Sequence, residues 1–464
     1  MINFFKKKKR NVIFFVTIIF SVLFFYLFSL VTEIVQYGYD RQNKVILAIE
    51  SIIPKHYLKK IRDNVFIIPN LKAQIESLEL QVRKFEQGNE GQKFHKKLIN
   101  LDGTEFETNF FFLPYKKLDT NLGWKAELNS LRAHYFEIYN EYLLAISGYG
   151  KIVYSNKNNL LNKNLDFKDI PNNIDDILRK DNLKLIGIRD LFIFNDQIII
   201  SMLTEDDQGI TINLYEADFN LKRINFKLLF RSNEFWKNYN VFTGGRVEKF
   251  VDNKILFSIG FSKDYKAPQN KKSLLGKIIA IDLKTKNFEL ISYGHRNPQG
   301  LYFHKSNNLV INTEHGPKGG DEINFNFLND EEDKNFGWPI VSYGNAYPSE
   351  EKLFNKDTFI KTHKELGFIE PFKYFDPSIG ISEIIFLEKN SFCITKCLLV
   401  SSLRAHSLYI FQLSDNFKEI ISEKRIYLGE GIRIRDINYD KDLDLITLLS
   451  EKVPSIVTVK NVSN

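Results

Sequence analysis

The stretch Gly245–Gly260, GRVEKFVDNKILFSIG, reads as a short apolar strand, a polar turn at Asp252-Asn253 and a second apolar strand. The turn residues tolerate the left-handed conformation that a tight connection needs, and the flanking runs are rich in β-branched and aromatic side chains. The phrase recurs as LRAHYFEIYNEYLLAIS, IRDLFIFNDQIIISM, PQGLYFHKSNNLVINTE, ISEIIFLEKNSFCITKCLLVSS and IRDINYDKDLDLITLLS. Anchored on Arg132, Arg189, Arg246, Gln299, Ser382 and Arg435, the steps are 57, 57, 53, 83 and 53 residues. The long step holds a Gly/Pro-rich polar insert between about Asn329 and Pro371. Six units of several strands at a near-constant period predict an all-β, six-bladed propeller over residues 99–464. In that architecture the first strand of each unit lines a central channel, and the six anchors form a ring at one rim. Two long β-sandwiches are the alternative, and they fit a fixed period poorly.

Upstream of the repeats the chain changes character. Val12–Val31 is 20 residues without a charge, preceded by Lys6–Arg10. At about 1.5 Å of rise per residue such a helix spans the hydrocarbon layer. Basic residues before it predict a cytoplasmic tail (1–11), an anchor (12–32) and an extracytoplasmic body, placing the propeller on the periplasmic side of a cell inner membrane. A cleaved signal peptide is the rival, but the segment after the run offers no small-x-small cleavage site. Residues 33–98 are expected as a helical stalk, with Leu71, Ile75, Leu78, Val82 and Phe85 on one face. That seam is too short to require a coiled coil.

Composition narrows the function. The chain has 464 residues, 44% hydrophobic and 26% charged, so it can bury a large core. Five of its seven surplus positive charges are the N-terminal cluster, and the remaining body is close to neutral. No basic surface for nucleic acid is implied. The two cysteines, Cys393 and Cys397, either bridge a hairpin turn or lie as small semi-buried thiols.

The chemistry-bearing segment is Gly294–Leu301 (GHRNPQGL), Glu314–Asn324 (EHGPKGGDEIN) and Asn335–Pro339 (NFGWP). Arg296, Asn297 and Gln299 offer a guanidinium fork and two amides at a rim position, which suits a planar anionic or carbonyl-bearing ligand. The turn after His315 exposes backbone carbonyls and carries two carboxylates, Asp321 and Glu322, oxygen donors of the kind calcium takes. Taken singly, Gly/Pro turns and buried arginine–carboxylate pairs are ordinary structural features of propellers.

Together, in order and spacing, these strings resemble the soluble quinoprotein glucose dehydrogenase family, including the aldose sugar dehydrogenases and glucose/sorbosone dehydrogenase domains. The resemblance covers roughly residues 100–460. It implies a six-bladed propeller with pyrroloquinoline quinone and Ca2+ at one end of the channel, a sugar or alcohol substrate and an electron acceptor. It places Arg296 and Asn297 at the quinone carbonyls with Gln299 nearby, and Arg404, Arg433 and Arg435 at cofactor carboxylates. It places the carbonyls of Gly316 and Pro317 on calcium, beside the acidic pair Asp321 and Glu322.

One position departs from the pattern. The family's catalytic histidine precedes Gly-Gly-Arg; here the string is NVFTGGR, and Phe242 stands in its place, with Val241 where some members carry a carboxylate. Phenylalanine cannot accept a proton from a hydroxyl. His134, His315 and His406 are the histidines that could approach from other blades. Two readings follow: a membrane-anchored quinoprotein sugar dehydrogenase with a displaced base, or a propeller of the same descent that binds a ligand, glycan or partner without redox chemistry.

Overall fold

The computed structural model describes residues 95–464 apart from 102, 114–132, 163–164, 237–241, 262–263, 348–358, 452–453 and 464. The tail, anchor and heptad seam expected before residue 95, together with Arg132 and Val241, lie outside the described residues. The apolar run lies outside them as well; among the described residues no helix is long and apolar enough to cross a membrane.

Among the described residues the strands form six antiparallel sheets, the six-bladed propeller expected from the repeats. The innermost strands are Tyr135–Tyr139, Lys184–Phe194, Gly244–Lys249, Pro298–His304, Ile381–Glu388 and Ile434–Asp440. Each touches the next, and the last touches the first, so the inner strands close into a ring. Between neighbouring blades the apolar faces interlock. Ile199, Leu203, Ile212 and Leu214 of the second blade, for instance, are buried against Ile255, Phe257, Ile279 and Ile281 of the third. Strand alternation supplies this pattern, one face of each blade packing on each neighbour.

Closure joins two stretches far apart in the sequence. Ser455–Asn461 pairs along its length with Thr104–Phe112, which pairs in turn with His95–Leu101. The sixth blade therefore takes three strands from the C-terminal end of the chain and two from residues 95–112. The stalk expected over 33–98 is corrected at its end, because His95–Leu98 is already strand. Its register is set by the hydrogen-bonded partner strand, a long-range pairing that a local helical reading does not contain.

The anchors have a structural meaning the repeat alone does not state. In five inner strands the pairing with the second strand slips at the anchor: between Ile188 and Asp190, Gly244 and Val247, Pro298 and Gly300, Ile381 and Ile384, and Ile434 and Asp436. Arg189, Arg246, Gln299, Ser382 and Arg435 are thus residues of β-bulges, which break the alternation and re-aim a side chain. The bulge amides are satisfied from the second strand. Gly245 N–H and Arg246 N–H donate to Ser258 Oγ at 3.2 and 3.0 Å, and Glu383 N–H donates to Ser401 Oγ at 3.0 Å.

Arg246 fills the channel. Its Nη1 reaches Asp190 Oδ1 at 2.7 Å, and its Nη2 reaches Glu383 Oε2 at 2.5 Å and Asp436 Oδ1 at 3.0 Å. Its Nε donates to the Gln299 carbonyl at 2.8 Å, and its guanidinium lies 4.9 Å from the centre of the Tyr135 ring. One side chain from the third blade thereby contacts all five others. A neighbouring glycine makes room for it: Gly245 has φ +111°, and a Cβ there would stand 2.4 Å from Arg189 Cβ.

Candidate active site at the channel rim

The rim next to this plug gathers most of the residues singled out in the sequence. Asn297 Oδ1 accepts from Gly244 N–H at 3.2 Å and from Gln299 Nε2 at 3.1 Å. Gln299 Oε1 accepts from Arg435 Nη1 at 2.7 Å. Arg435 Nε and Nη2 both lie 2.8 Å from Glu451 Oε2, while the other Glu451 oxygen takes Arg433 Nε at 2.9 Å. Arg433 Nη1 lies 3.4 Å from the Leu403 carbonyl, next to the exposed Arg404. Asn297, Gln299, Arg435, Glu451 and Arg433 therefore form one continuous polar chain from the fourth and sixth blades, ending beside Arg404 of the fifth.

Glu451 is the residue this set lacked. Its side chain is 3% exposed, and the two arginines hold its carboxyl below the usual range despite burial. It stays ionised and neutralises Arg435, itself 2% exposed. It sits just past the strand Leu445–Ser450, 16 residues after Arg435, with no local motif around it. Arg433 keeps 32% of its side chain exposed, so its guanidinium edge is the part of the pair open to a ligand.

Arg296 stands at the other end of the rim. It is buried, and its Nη1 donates to the Gly316 carbonyl at 2.6 Å and the His315 carbonyl at 3.1 Å. Its guanidinium lies 4.2 Å from the centre of the Phe242 ring, 5.2 Å from Trp338 and 5.8 Å from Phe261. Phe242 stacks on Phe261 at 5.0 Å, and Phe261 meets Trp338 edge-on at 5.3 Å. The Gly294 and Asn335 motifs build this cage. Gly294, at φ +75°, admits the Asn335 carboxamide where a Cβ would stand 2.3 Å away, and Trp338 N–H donates to the Gly294 carbonyl at 2.9 Å.

Of the three histidines, His134 is fully buried and its Nδ1 accepts from Gly148 N–H at 3.0 Å. His406 lies 3.7 Å from Glu430 on the edge of the fifth blade. His315 alone belongs to the polar chain. Its Nε2 faces the Ile381 carbonyl, an obligate acceptor, so Nε2 carries the hydrogen and Nδ1 the lone pair. That Nδ1 lies 3.4 Å from Asn297 Nδ2. Burial, reinforced by Arg435 and Arg296, pushes its pKa down, and a neutral imidazole results whose Nδ1 lone pair accepts from Asn297 Nδ2.

The calcium ligands expected from the turn do not assemble. The Gly316 carbonyl is taken by Arg296, and Pro317 is buried against Gly344. Asp321 Oδ1 accepts from Gly316 N–H at 3.2 Å and Oδ2 from Ile381 N–H at 3.0 Å, a brace between the fourth and fifth blades. Glu322 is the next residue of the same strand and so points to the opposite face, where it lies 3.9 Å from His363 Nε2. Burial holds its carboxyl well above the usual range. Adjacent strand positions cannot both face one ion. Among the described residues no group of three or more His, Cys, Asp or Glu is arranged around a metal. The donor set does fit an anion: Arg433 and Arg435 share one carboxylate, Glu451, Arg296 donates to backbone carbonyls, and the amides of Asn297 and Gln299 lie between them.

Residues 186–457 match the family model described as Glucose / Sorbosone dehydrogenase. The chain belongs to this family. It is 26% identical over 252 residues to the aldose sugar dehydrogenase YliI of Escherichia coli strain K12, spanning 51% of this chain and 65% of that protein. Among solved structures it shares its fold with the soluble aldose sugar dehydrogenase of Escherichia coli in the apo form, at TM-score 0.55 and 20% identity over 71% of this chain and 95% of that one. The PQQ-bound aldose sugar dehydrogenase of Streptomyces coelicolor superposes at TM-score 0.53 and 16% identity, covering 80% of this chain and 99% of that one. Cys393 and Cys397 are joined in a disulfide that closes a turn of the fifth blade.

Proposed function

We propose that this protein is a membrane-anchored, periplasm-facing quinoprotein dehydrogenase that oxidises a hydroxyl of a sugar or related alcohol. The observation that carries the reading is the arginine-rich rim of a glucose/sorbosone dehydrogenase propeller, where Arg433 and Arg435 share the single carboxylate of Glu451 and Arg296 stands on the Gly316 carbonyl. Arg404 and the open edge of Arg433 would bind carboxylates of pyrroloquinoline quinone, with Asn297 and Gln299 along its polar edge and Arg296 at its carbonyls. When bound, the quinone accepts the two electrons and the hydrogen released from a hydroxyl-bearing carbon, and a separate electron acceptor reoxidises it. The protein's own task is the hydroxyl proton. Phe242 cannot take it, whereas His315 Nδ1 is a neutral acceptor held in one tautomer by the Ile381 carbonyl, and it would take the proton once the long contact from Asn297 Nδ2 gives way to the substrate hydroxyl. The apolar run at 12–32 and the basic residues before it support the anchor, and the disulfide suits an oxidising compartment.

A second reading, ligand binding without oxidation, is favoured by Phe242, which covers Arg296 with a ring where a base would stand. The two separate in one experiment. The purified full-length chain is titrated with pyrroloquinoline quinone while its absorption spectrum is followed, then assayed for dye-linked oxidation of aldoses. Saturable binding with oxidation that falls in His315→Gln supports the dehydrogenase. Binding without oxidation supports the second reading, and no binding removes the first.

A further inference from the structure

We infer that the guanidinium of Arg296, clamped by Phe242, is the resident cation of this site, so that anion binding at the rim needs no divalent metal. The inference deepens the quinone-site reading and rests on it only for the identity of the anion. Two observations carry it. First, the turn 315–316 presents two carbonyls to one point, the geometry that collects a cation, and Arg296 Nη1 lies at that point, 3.1 and 2.6 Å from the two oxygens. Second, the guanidinium is fixed there by aromatic faces, Phe242 at 4.2 Å and Trp338 at 5.2 Å. A desolvated guanidinium over aromatic rings is held more tightly than a solvated one.

The two features explain each other. A ring at position 242 has a face to offer a cation; an imidazole there would compete for protons and repel the guanidinium when charged. Phe242 is therefore a positioning residue, acting through Arg296. Asp321, the nearest carboxylate of the turn, is already committed to the amides of Gly316 and Ile381 and does not point at the carbonyl pair's cation. The positive charge that an anionic ligand meets next to Gly316 is then covalently part of the chain and cannot be removed by a chelator.

The test uses the full-length chain in detergent and the ion Tb3+, whose luminescence is sensitised by nearby tryptophan, here Trp338. Wild type should show no saturable terbium site. Arg296→Gln frees the Gly316 carbonyl and adds an amide oxygen, and should create a site that Ca2+ displaces. Phe242→Leu, which removes the ring face that fixes the guanidinium, should show saturable terbium binding where wild type shows none, whereas Phe242→Tyr, which keeps the ring face, should behave as wild type. Near-UV circular dichroism checks that each variant is folded, and Phe242→Leu keeps the test standing if Arg296→Gln is not. Stoichiometric terbium or calcium binding by wild type at this rim would overturn the inference, as would failure of both folded variants to gain a site. In a second arm, pyrroloquinoline quinone is titrated with and without EDTA. Equal affinity supports the inference, and loss of binding in EDTA overturns it while leaving the quinone reading intact. If no quinone binds at all, the quinone reading fails and the terbium arm still decides.

Discussion

Replacing Arg246 by methionine keeps an unbranched stem in the channel but removes the guanidinium that contacts five other blades. Three carboxylates, Asp190, Glu383 and Asp436, then face each other in a buried channel without a counter-charge. Breaking a buried ion pair by deleting one partner costs about 3–5 kcal/mol, because the remaining charge stays desolvated. The loss depends on pH in a defined direction. Even with Arg246 present, burial pushes Asp190 up to about 7 and Glu383 up to about 8. An acid whose folded pKa is raised contributes stability that is full below its unfolded pKa and is lost as pH rises through the folded value. Without Arg246 these pKa values move higher still. The variant should therefore lose about 3–5 kcal/mol at the alkaline end of the range and clearly less under mildly acidic conditions, where the acids are neutral. At about 2–4 °C per kcal/mol for a large domain, the melting temperature should fall by roughly 6–20 °C at the alkaline end. Urea midpoints and thermal melts of both proteins on either side of the Asp190 and Glu383 transitions are the assay. A loss under about 1 kcal/mol, or one that does not change with pH, would refute the idea that Arg246 joins the blades electrostatically.

Other substitutions probe separate parts of the account. Glu451→Gln leaves buried Arg435 short of its counter-charge and should cost about 3 kcal/mol. Because the Glu451 pKa is lowered by Arg435 and Arg433, this difference should be present at neutral pH and vanish as acid titrates the wild-type carboxylate, which paired urea titrations down the acid range would show. Gly245→Ala drives a Cβ to within 2.4 Å of Arg189 Cβ and should destabilise the second and third blades, read by hydrogen exchange of their inner strands. His315→Gln should lower sugar oxidation by roughly 10²–10⁴ while leaving quinone affinity within about two-fold; an unchanged rate would remove His315 as the base. Deleting residues 95–112 strips two strands from the sixth blade and exposes the edge of Ser455–Asn461, so soluble, cooperatively melting protein should be lost, as size-exclusion chromatography would report.

The blade count was legible because each blade repeats one local phrase, an inner strand, a polar turn and a second strand, and local pattern carries that information. Five of the six anchors, all but Arg132, which lies outside the described residues, mark corresponding positions of the inner strands, although their cause was not legible. Arg246 and Ser382 stand in bulges whose amides are met by the second-strand serines Ser258 and Ser401, and those serines recur in the sequence near the ends of the second strands. The closure by Thr104–Phe112 was not visible, since its partner strand lies some 350 residues away and nothing local marks the pairing. At the site, Arg296, Asn297, Gln299, Arg433 and Arg435 were found from their motifs, whereas Glu451 lay at the end of an ordinary strand. Asp321 and Glu322 looked like a ligand pair because they are adjacent in sequence, which in a strand sends them to opposite faces. Phe242 read as the loss of a base, and the structure gives the ring an occupation of its own against Arg296.

The central claim is that the arginine rim holds an anionic quinone. Its most direct measurement is equilibrium titration of the full-length protein with pyrroloquinoline quinone, by absorption and by calorimetry, for wild type and Arg433→Ala. The account predicts one saturable site per chain whose affinity falls about ten-fold or more in the variant, since a charge-assisted contact contributes about 1.5–3 kcal/mol. Absence of saturable binding to the wild-type protein, or binding that Arg433→Ala leaves unchanged, would contradict it.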